Sequence, residues 1–252
     1  MNRVNAPDGT PLVYDAYEPP PERAGVAVLV LSDWHPQPAR GSDPWQEAGA
    51  QLRDAGFAAY VLDQRGHGRS GGRRGHLSRF SQLLGDLQAF RRAVRRRLDI
   101  PQVLVGHGFG GLVVLRYLET QPGEPPAAAV ISSPWLAPRG RPAAWKRLAA
   151  KLADLWPTLP TGRGEGYMTA GARAELQWAQ QAVLADRKRI EQPLLFVLGA
   201  EDCVSDPAVT KAFATSLASP AQVQWYADLP YDLLNVRRVR EDLIGFLAGY
   251  RP

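Results

Sequence analysis

Short apolar runs alternate with amphipathic helical patterns along most of this 252-residue chain. A turn at Asp8-Gly9 predicts an opening hairpin between residues 3–5 and 12–17. Later strand patterns cover residues 26–31, 58–62, 102–105, 127–131, 194–198 and 223–226. Helical patterns cover residues 44–55, 80–98, 110–118, 207–217 and 236–249. Strands that are apolar on both faces and separated by helices are typical of parallel sheets. The sequence therefore predicts an α/β fold, with a mostly parallel central sheet and helices on both faces.

One long stretch interrupts this alternation. Residues 135–192 contain no strand pattern but include helical segments, and they follow the sixth predicted strand. We predict that they form a helical cap and return segment, inserted into a core made of residues 1–134 and 193–252. An apolar stripe at helical spacing runs through the cap, at Trp145, Leu148, Leu152, Leu155 and Trp156. We expect the stripe to pack on the body of the protein; the alternatives are contact with a membrane surface or with an acyl ligand.

Several classes of protein are excluded by composition. The single cysteine, Cys203, rules out an internal disulfide and a cysteine-rich metal site. No metal-ligand spacing, phosphate-binding loop or dinucleotide motif is present, so we predict no metal and no cofactor. No apolar run approaches the roughly 18 residues of a membrane helix. The first residues also lack the apolar stretch of a signal peptide, and we therefore expect a cytoplasmic protein.

Arginines are concentrated on one predicted helix. The cluster comprises Arg91, Arg92, Arg95, Arg96 and Arg97. The helix also carries an apolar stripe at positions 90, 94 and 98, which predicts its buried side. We interpret the arginines as a solvated helix face; the alternative is an anion-binding or partner surface. No nucleic-acid-reading motif accompanies them, so no nucleic-acid partner is predicted.

The strongest local motif joins a short strand directly to a helix through glycines. It reads Val103-Leu104-Val105-Gly106-His107-Gly108-Phe109-Gly110-Gly111. The layout is that of a nucleophile elbow, G-x-S-x-G, in which the central residue sits on a sharp turn. The centre here is Gly108, which has no side chain. We expect Gly108 to keep a positive φ, and a serine at this position to lower stability by roughly 0.5–2 kcal/mol.

The order of several motifs resembles one family. Asp63-Gln64-Arg65-Gly66-His67-Gly68-Arg69-Ser70 follows a strand, the elbow comes next, and Leu198-Gly199-Ala200-Glu201-Asp202 and Tyr231-Asp232-Leu233-Leu234-Asn235 come late. This order resembles the α/β-hydrolases of the monoacylglycerol lipase and lysophospholipase-like group, over essentially the whole chain. The resemblance implies an α/β-hydrolase fold and an esterase or lipase ancestry.

The same resemblance assigns roles to positions, and most of them are altered. It places the nucleophile at Gly108, the acid at Asp202 and the base at Tyr231. No histidine follows His107, so the base is missing however the last motif is aligned. The family's oxyanion loop falls on Ser32-Asp33, where a carboxylate would oppose the negative charge that acyl transfer develops. We expect Tyr231 to hydrogen-bond Asp202 across the vacated base position.

Other residues near these positions receive structural or binding roles. Ser32, Asp33, Phe109, Ser133 and Trp135 are the predicted ligand contacts. His107, His67 and Arg65 are expected to brace loops, whereas His35 and His76 are expected to have no special role. Asp202 is predicted to bond neighbouring backbone, and Cys203 to be buried.

Three functions remain open at this stage. The favoured one is a pseudo-hydrolase that binds a small apolar or acyl ligand, or a protein partner. The second is an enzyme of another kind that uses Asp202, Tyr231, Asp33 or Asp232 as acid or base. The third is a structural subunit whose pocket has filled in. Peripheral membrane contact through the cap is compatible with the first.

Overall fold

An eight-stranded sheet forms the centre of the computed structural model, which describes residues 2–35, 44–120, 123–140, 156–161 and 167–251. The strands are β1 (Asn2–Asn5), β2 (Pro11–Tyr17), β3 (Ala27–Leu31), β4 (Ala58–Asp63), β5 (Gln102–His107), β6 (Ala128–Ser132), β7 (Leu194–Gly199) and β8 (Ala221–Tyr226). Their order across the sheet is β1-β2-β4-β3-β5-β6-β7-β8. β2 pairs antiparallel with β1 and β4, and every other pairing is parallel.

Helices connect these strands. They are α1 (Pro44–Asp54), α2 (Phe80–Arg97), α3 (Phe109–Thr120), α4 (Ala170–Asp186), α5 (Pro207–Thr215) and α6 (Arg237–Ala248). Local chemistry fixes two of the starts. The Asp206 side chain accepts hydrogen bonds from the first amides of α5 at 3.0 and 3.3 Å, and Pro207 takes its first position. The Thr169 hydroxyl caps α4 by accepting from Ala172 N at 3.2 Å.

The sheet is buried on both faces. All residues of β3, β5, β6 and β7 are buried. Side chains on one face pack with α2, α3, α4 and α5, and those on the other pack with α1 and α6. The predicted α/β class, with helices on both faces of a mostly parallel sheet, is confirmed, and predicted boundaries agree with the observed ones to within a few residues.

The inserted segment is described only in part. α4 lies within it and packs against α3. The predicted stripe at Trp145, Leu148, Leu152 and Leu155 lies outside the described residues, whereas Trp156 at its end is 67% exposed. The proposed limits of the cap at 135 and 192 stay a prediction. In the ranges given above, no helix is long and apolar enough to cross a membrane.

The arginine-rich helix differs from the expected solvated face. Phe90 and Val94 are buried as predicted. Arg91, however, is only 6% exposed, because its guanidinium reaches inward to Gln102 and Tyr117. The interpretation of all five arginines as solvated is therefore wrong for Arg91.

Candidate functional site

The candidate site lies where the parallel strands end. β3, β5 and β6 are neighbours in the sheet, and their carboxyl ends lead directly into Ser32-Asp33, Gly108 and Ser133. β7 lies next to β6 and leads toward Asp202. Crevices at this edge of open α/β sheets are the usual position of ligand sites.

The glycine-flanked turn has the geometry of an elbow. Gly108 has a φ of 54°, which confirms the expected positive value. A Cβ at Gly106 would overlap the backbone of Gly110 and Gly111. A Cβ at Gly110 would overlap the backbone at Leu31. Strand β5, helix α3 and strand β3 therefore approach closely because these positions lack side chains.

Asp33 and Tyr231 fill the space in front of Gly108. Asp33 Oδ1 accepts a hydrogen bond from Phe109 N at 2.8 Å, and Asp33 Oδ2 accepts one from the Tyr231 hydroxyl at 2.6 Å. Trp135 Nε1 donates to the Tyr231 oxygen at 2.7 Å. A Cβ on Gly108 would lie well inside 3.0 Å of both Tyr231 Oη and Asp33 Oδ1, closer than real Cβ contacts occur. We call Asp33 and Tyr231 the plug.

Burial controls the protonation of the plug. Tyr231 is 8% exposed. Burial, together with the adjacent Asp33 carboxylate, raises the pKa of the Tyr231 phenol far above its ordinary value. The phenol therefore keeps its proton at neutral pH and donates it to Asp33.

Asp202 belongs to a different set of contacts. Its Oδ1 accepts from Val204 N at 2.8 Å and Ser205 N at 2.9 Å, and its Oδ2 accepts from Ser205 Oγ at 2.7 Å. The predicted bonding to neighbouring backbone is confirmed. The predicted Tyr231–Asp202 hydrogen bond is wrong, because the single phenolic proton is donated to Asp33 instead.

The other residues predicted to contact a ligand differ in their burial and hydrogen bonding. Phe109 is fully buried, and its ring centroid lies 6.0 Å from that of Trp135. Ser32 contributes its carbonyl, which accepts from Gln64 Nε2 at 2.7 Å. Ser133 has a φ of 42°, and its buried hydroxyl has no hydrogen-bond partner among the described residues. Their role in binding a ligand stays a prediction.

Trp34 was missed by the sequence analysis and forms part of the wall. Its ring centroid lies 4.9 Å from that of Phe109 and 4.6 Å from that of His67. Burial lowers the pKa of His67 to about 4, so this imidazole is neutral at pH 7. The position of Trp34 directly after Asp33 was the available signal, since a residue that follows a strand end faces the same crevice.

The bracing roles expected of three residues agree with their contacts. His67 Nδ1 lies 2.8 Å from the Arg65 carbonyl. Arg65 pairs with Asp86 and with Asp8, each at 2.7 Å, and so ties the opening hairpin to α2. His107 Nδ1 lies 3.1 Å from Ser132 Oγ.

Three residues outside the plug have environments that bear on the predictions. Cys203 is exposed, so its expected burial is wrong. His76 Nδ1 lies 2.9 Å from Thr169 Oγ1, whereas His35 is exposed. Within the described ranges, no cluster of three or more His, Cys, Asp or Glu side chains could hold a metal ion.

Known proteins resemble this chain along its length. Residues 41–170 match the family described as serine aminopeptidase, S33. A monoacylglycerol lipase of Mycolicibacterium smegmatis is 34% identical over 270 residues, covering 96% of this chain and 94% of that protein.

Solved structures show the same fold. A soluble variant of monoglyceride lipase from Saccharomyces cerevisiae, in complex with a substrate analog, has a TM-score of 0.85 at 16% identity and covers 100% of this chain and 96% of its own. A monoacylglycerol lipase of Paleococcus ferrophilus has a TM-score of 0.76 at 21% identity and covers 95% of this chain and 99% of its own. With the strand order and the elbow described above, these similarities show that the chain belongs to the S33-type, monoacylglycerol lipase-like group of α/β-hydrolases.

Proposed function

We propose that this protein is a pseudo-hydrolase, which binds a small apolar or acyl ligand but does not cleave esters through an acyl-enzyme. The observation that carries the proposal is the position of Asp33. Its carboxylate accepts the hydrogen bond of the Phe109 amide. Together with Tyr231, it also fills the volume that a side chain at residue 108 would need.

The Phe109 amide is the first part of the argument. In an elbow, the amide of the residue after the nucleophile helps to stabilise the oxyanion of acyl transfer. Here this amide already donates to a carboxylate at 2.8 Å. A developing oxyanion would have to displace Asp33 and would be repelled by it, since both carry negative charge.

Proton transfer is the second part. Acyl transfer to a hydroxyl requires a base that accepts a proton near neutral pH. The residue at the proposed base position, Tyr231, is a phenol whose raised pKa keeps it protonated. The chain has histidines only at 35, 67, 76 and 107, and Gly108 offers no hydroxyl.

The proposed ligand class rests on the walls of the site. The rings of Trp34, Phe109 and Trp135 contact one another in sequence beside the plug. Aromatic walls with a few fixed polar groups are typical of small-molecule sites. The relatives named above include monoacylglycerol lipases. On the basis of this similarity we propose an acyl ligand for this chain.

The proposal is tested by probe labelling and by binding. We expect no fluorophosphonate labelling and no nitrophenyl ester turnover by the wild-type protein, with the Mycolicibacterium smegmatis lipase as positive control. We expect a monoacylglycerol to bind in calorimetry without being hydrolysed. Covalent labelling or a burst of nitrophenol would contradict the loss of activity, and absence of binding would contradict the ligand class.

Restoration experiments test the assigned positions. Gly108→Ser alone should stay inactive, because Tyr231 at the base position keeps its proton and Asp33 holds the Phe109 amide. Gly108→Ser with Tyr231→His should still react poorly, since Asp33 holds the Phe109 amide. Adding Asp33→Gly should raise probe labelling by about 100-fold or more over the double variant, the scale of one oxyanion donor.

A further inference from the structure

A cleft separate from the plug opens at the opposite end of the sheet. It has a volume of about 180 Å³. Its lining comes from α2, from Gln102 at the start of β5, from Tyr117 of α3 and from the loop at Gly123 and Glu124. One ordered water needs only about 10–15 Å³ by the same measure, so the cleft can hold a polyatomic group.

Arg91 lies buried beside this cleft, and none of the described residues pairs with it as a counter-charge. Its Nε donates to Gln102 Oε1 at 3.0 Å, and its Nη1 donates to Tyr117 Oη at 2.9 Å and to the Glu124 carbonyl at 2.7 Å. All three acceptors are neutral. In the described parts of the chain, no carboxylate lies within ion-pair distance of Arg91. A buried cation with neutral partners is unfavourable unless an anion completes its environment.

Two more donors in the cleft donate no hydrogen bond to a described residue. The Tyr117 hydroxyl accepts from Arg91 but donates to no described residue, although Tyr117 is 2% exposed. Arg95 Nε is buried and makes no hydrogen bond within the described ranges, although Asp99 Oδ1 lies 3.4 Å away. Buried donors that lack acceptors are uncommon and call for a missing partner.

The charge of the lining is positive. The described lining contains Arg91, Arg92 and Arg95 and one carboxylate, that of Glu124, which pairs with Arg95; Asp99, outside the lining, also pairs with Arg95. Arg92 is exposed and makes no ion pair with a described residue. Guanidinium groups present several donors in a fixed plane and suit oxyanions, phosphate above all.

We propose that this cleft binds a divalent tetrahedral oxyanion, either free phosphate or the phosphate end of a small phosphomonoester. Arg91 and Tyr117 form its floor, and Arg92 and Arg95 meet the ligand at the rim. Glu124 limits the affinity, because its carboxylate competes for Arg95. The site is separate from the plug, since Gln102 and Gly108 stand at opposite ends of β5 and its turn.

Calorimetry at fixed ionic strength tests the site on the full chain. The titrants are inorganic phosphate and glycerol 2-phosphate, with chloride as the ionic control. We expect saturable phosphate binding, which Arg92→Gln or Arg95→Gln weakens by about three- to fivefold or more. Glu124→Gln should tighten it. Arg96→Gln is the matched control, because Arg96 lies on the same helix, is exposed and does not line the cleft.

The outcomes distinguish a specific phosphate-binding site from non-specific electrostatic attraction. Tighter binding of the ester than of phosphate identifies a phosphorylated metabolite as the ligand, whereas equal or weaker binding identifies free phosphate. The proposal is overturned if chloride gives the same heats, if binding does not saturate, or if Arg96→Gln weakens binding as much as Arg92→Gln. None of these results depends on the proposed acyl site.

Discussion

The sharpest test of the plug is a serine at residue 108. Gly108→Ser places a Cβ on a residue with a φ of 54° and drives it into Tyr231 Oη and Asp33 Oδ1. Positive φ costs a side-chain-bearing residue about 1–3 kcal/mol. Overpacking a filled site adds about 1–3 kcal/mol. We therefore expect the free energy of unfolding to fall by about 2–6 kcal/mol, more than strain alone explains.

Gly9→Ser provides the matched control. Gly9 also has a positive φ, 82°, but a Cβ there meets nothing within 4 Å. It therefore reports the backbone strain without the steric overlap. Urea unfolding of both variants, with unchanged slopes, should show Gly108→Ser to be the more destabilising by about 1–3 kcal/mol.

A double-mutant cycle isolates the contact itself. Asp33→Ala removes the carboxylate that the new side chain would overlap, so Gly108→Ser should cost less in that background than in the wild type. If Gly108→Ser cost no more than Gly9→Ser, or the same with and without Asp33, the argument from a filled site would be refuted.

Two other predictions concern buried groups. Tyr231→Phe removes the donor to Asp33 and should lower stability by about 1–3 kcal/mol in urea melts; Tyr226→Phe, whose partner Asp242 is exposed, should lower it by less. Burial raises the pKa of Glu119 from 4.5 to about 7, so its contribution to stability is full below pH 4.5 and is lost as pH rises through 7. The free energy of unfolding of the wild type should therefore decline by up to about 3 kcal/mol more than that of Glu119→Gln between pH 4.5 and pH 8. Melts of both proteins across this range measure the difference. An unchanged difference across this range would contradict the burial of its charge.

The fold was largely predictable because its signals are local. Apolar runs at β3, β5, β6 and β7 correspond to strands that are buried throughout. The glycines around residue 108 predicted the elbow, since a close approach of strand and helix leaves no room for side chains there. Alternation and glycine spacing report on neighbours along the chain, which is why they located these elements.

Two of the wrong predictions, those for Tyr231 and Arg91, involve contacts between distant residues. Tyr231 and Asp33 are 198 positions apart, and the family pattern directed attention to Asp202 instead. Arg91 stands beside the apolar stripe, and only the position of Tyr117 on α3 shows that its long side chain turns inward. A sequence pattern predicts which face of a helix or strand a residue lies on. It does not identify the hydrogen-bond partner of a polar side chain.

The departures at 33, 108 and 231 stabilise one another. Without a side chain at Gly108, a volume opens that Asp33 and Tyr231 fill. Asp33 in turn satisfies the Phe109 amide and the Tyr231 hydroxyl, so its removal alone would leave two buried donors unpaired. Gly108→Ser alone would overlap both plug residues. Tyr231→His alone would remove the phenolic hydroxyl that donates to Asp33. Each single reversal is therefore unfavourable, and a return to the family's arrangement requires at least three coordinated changes.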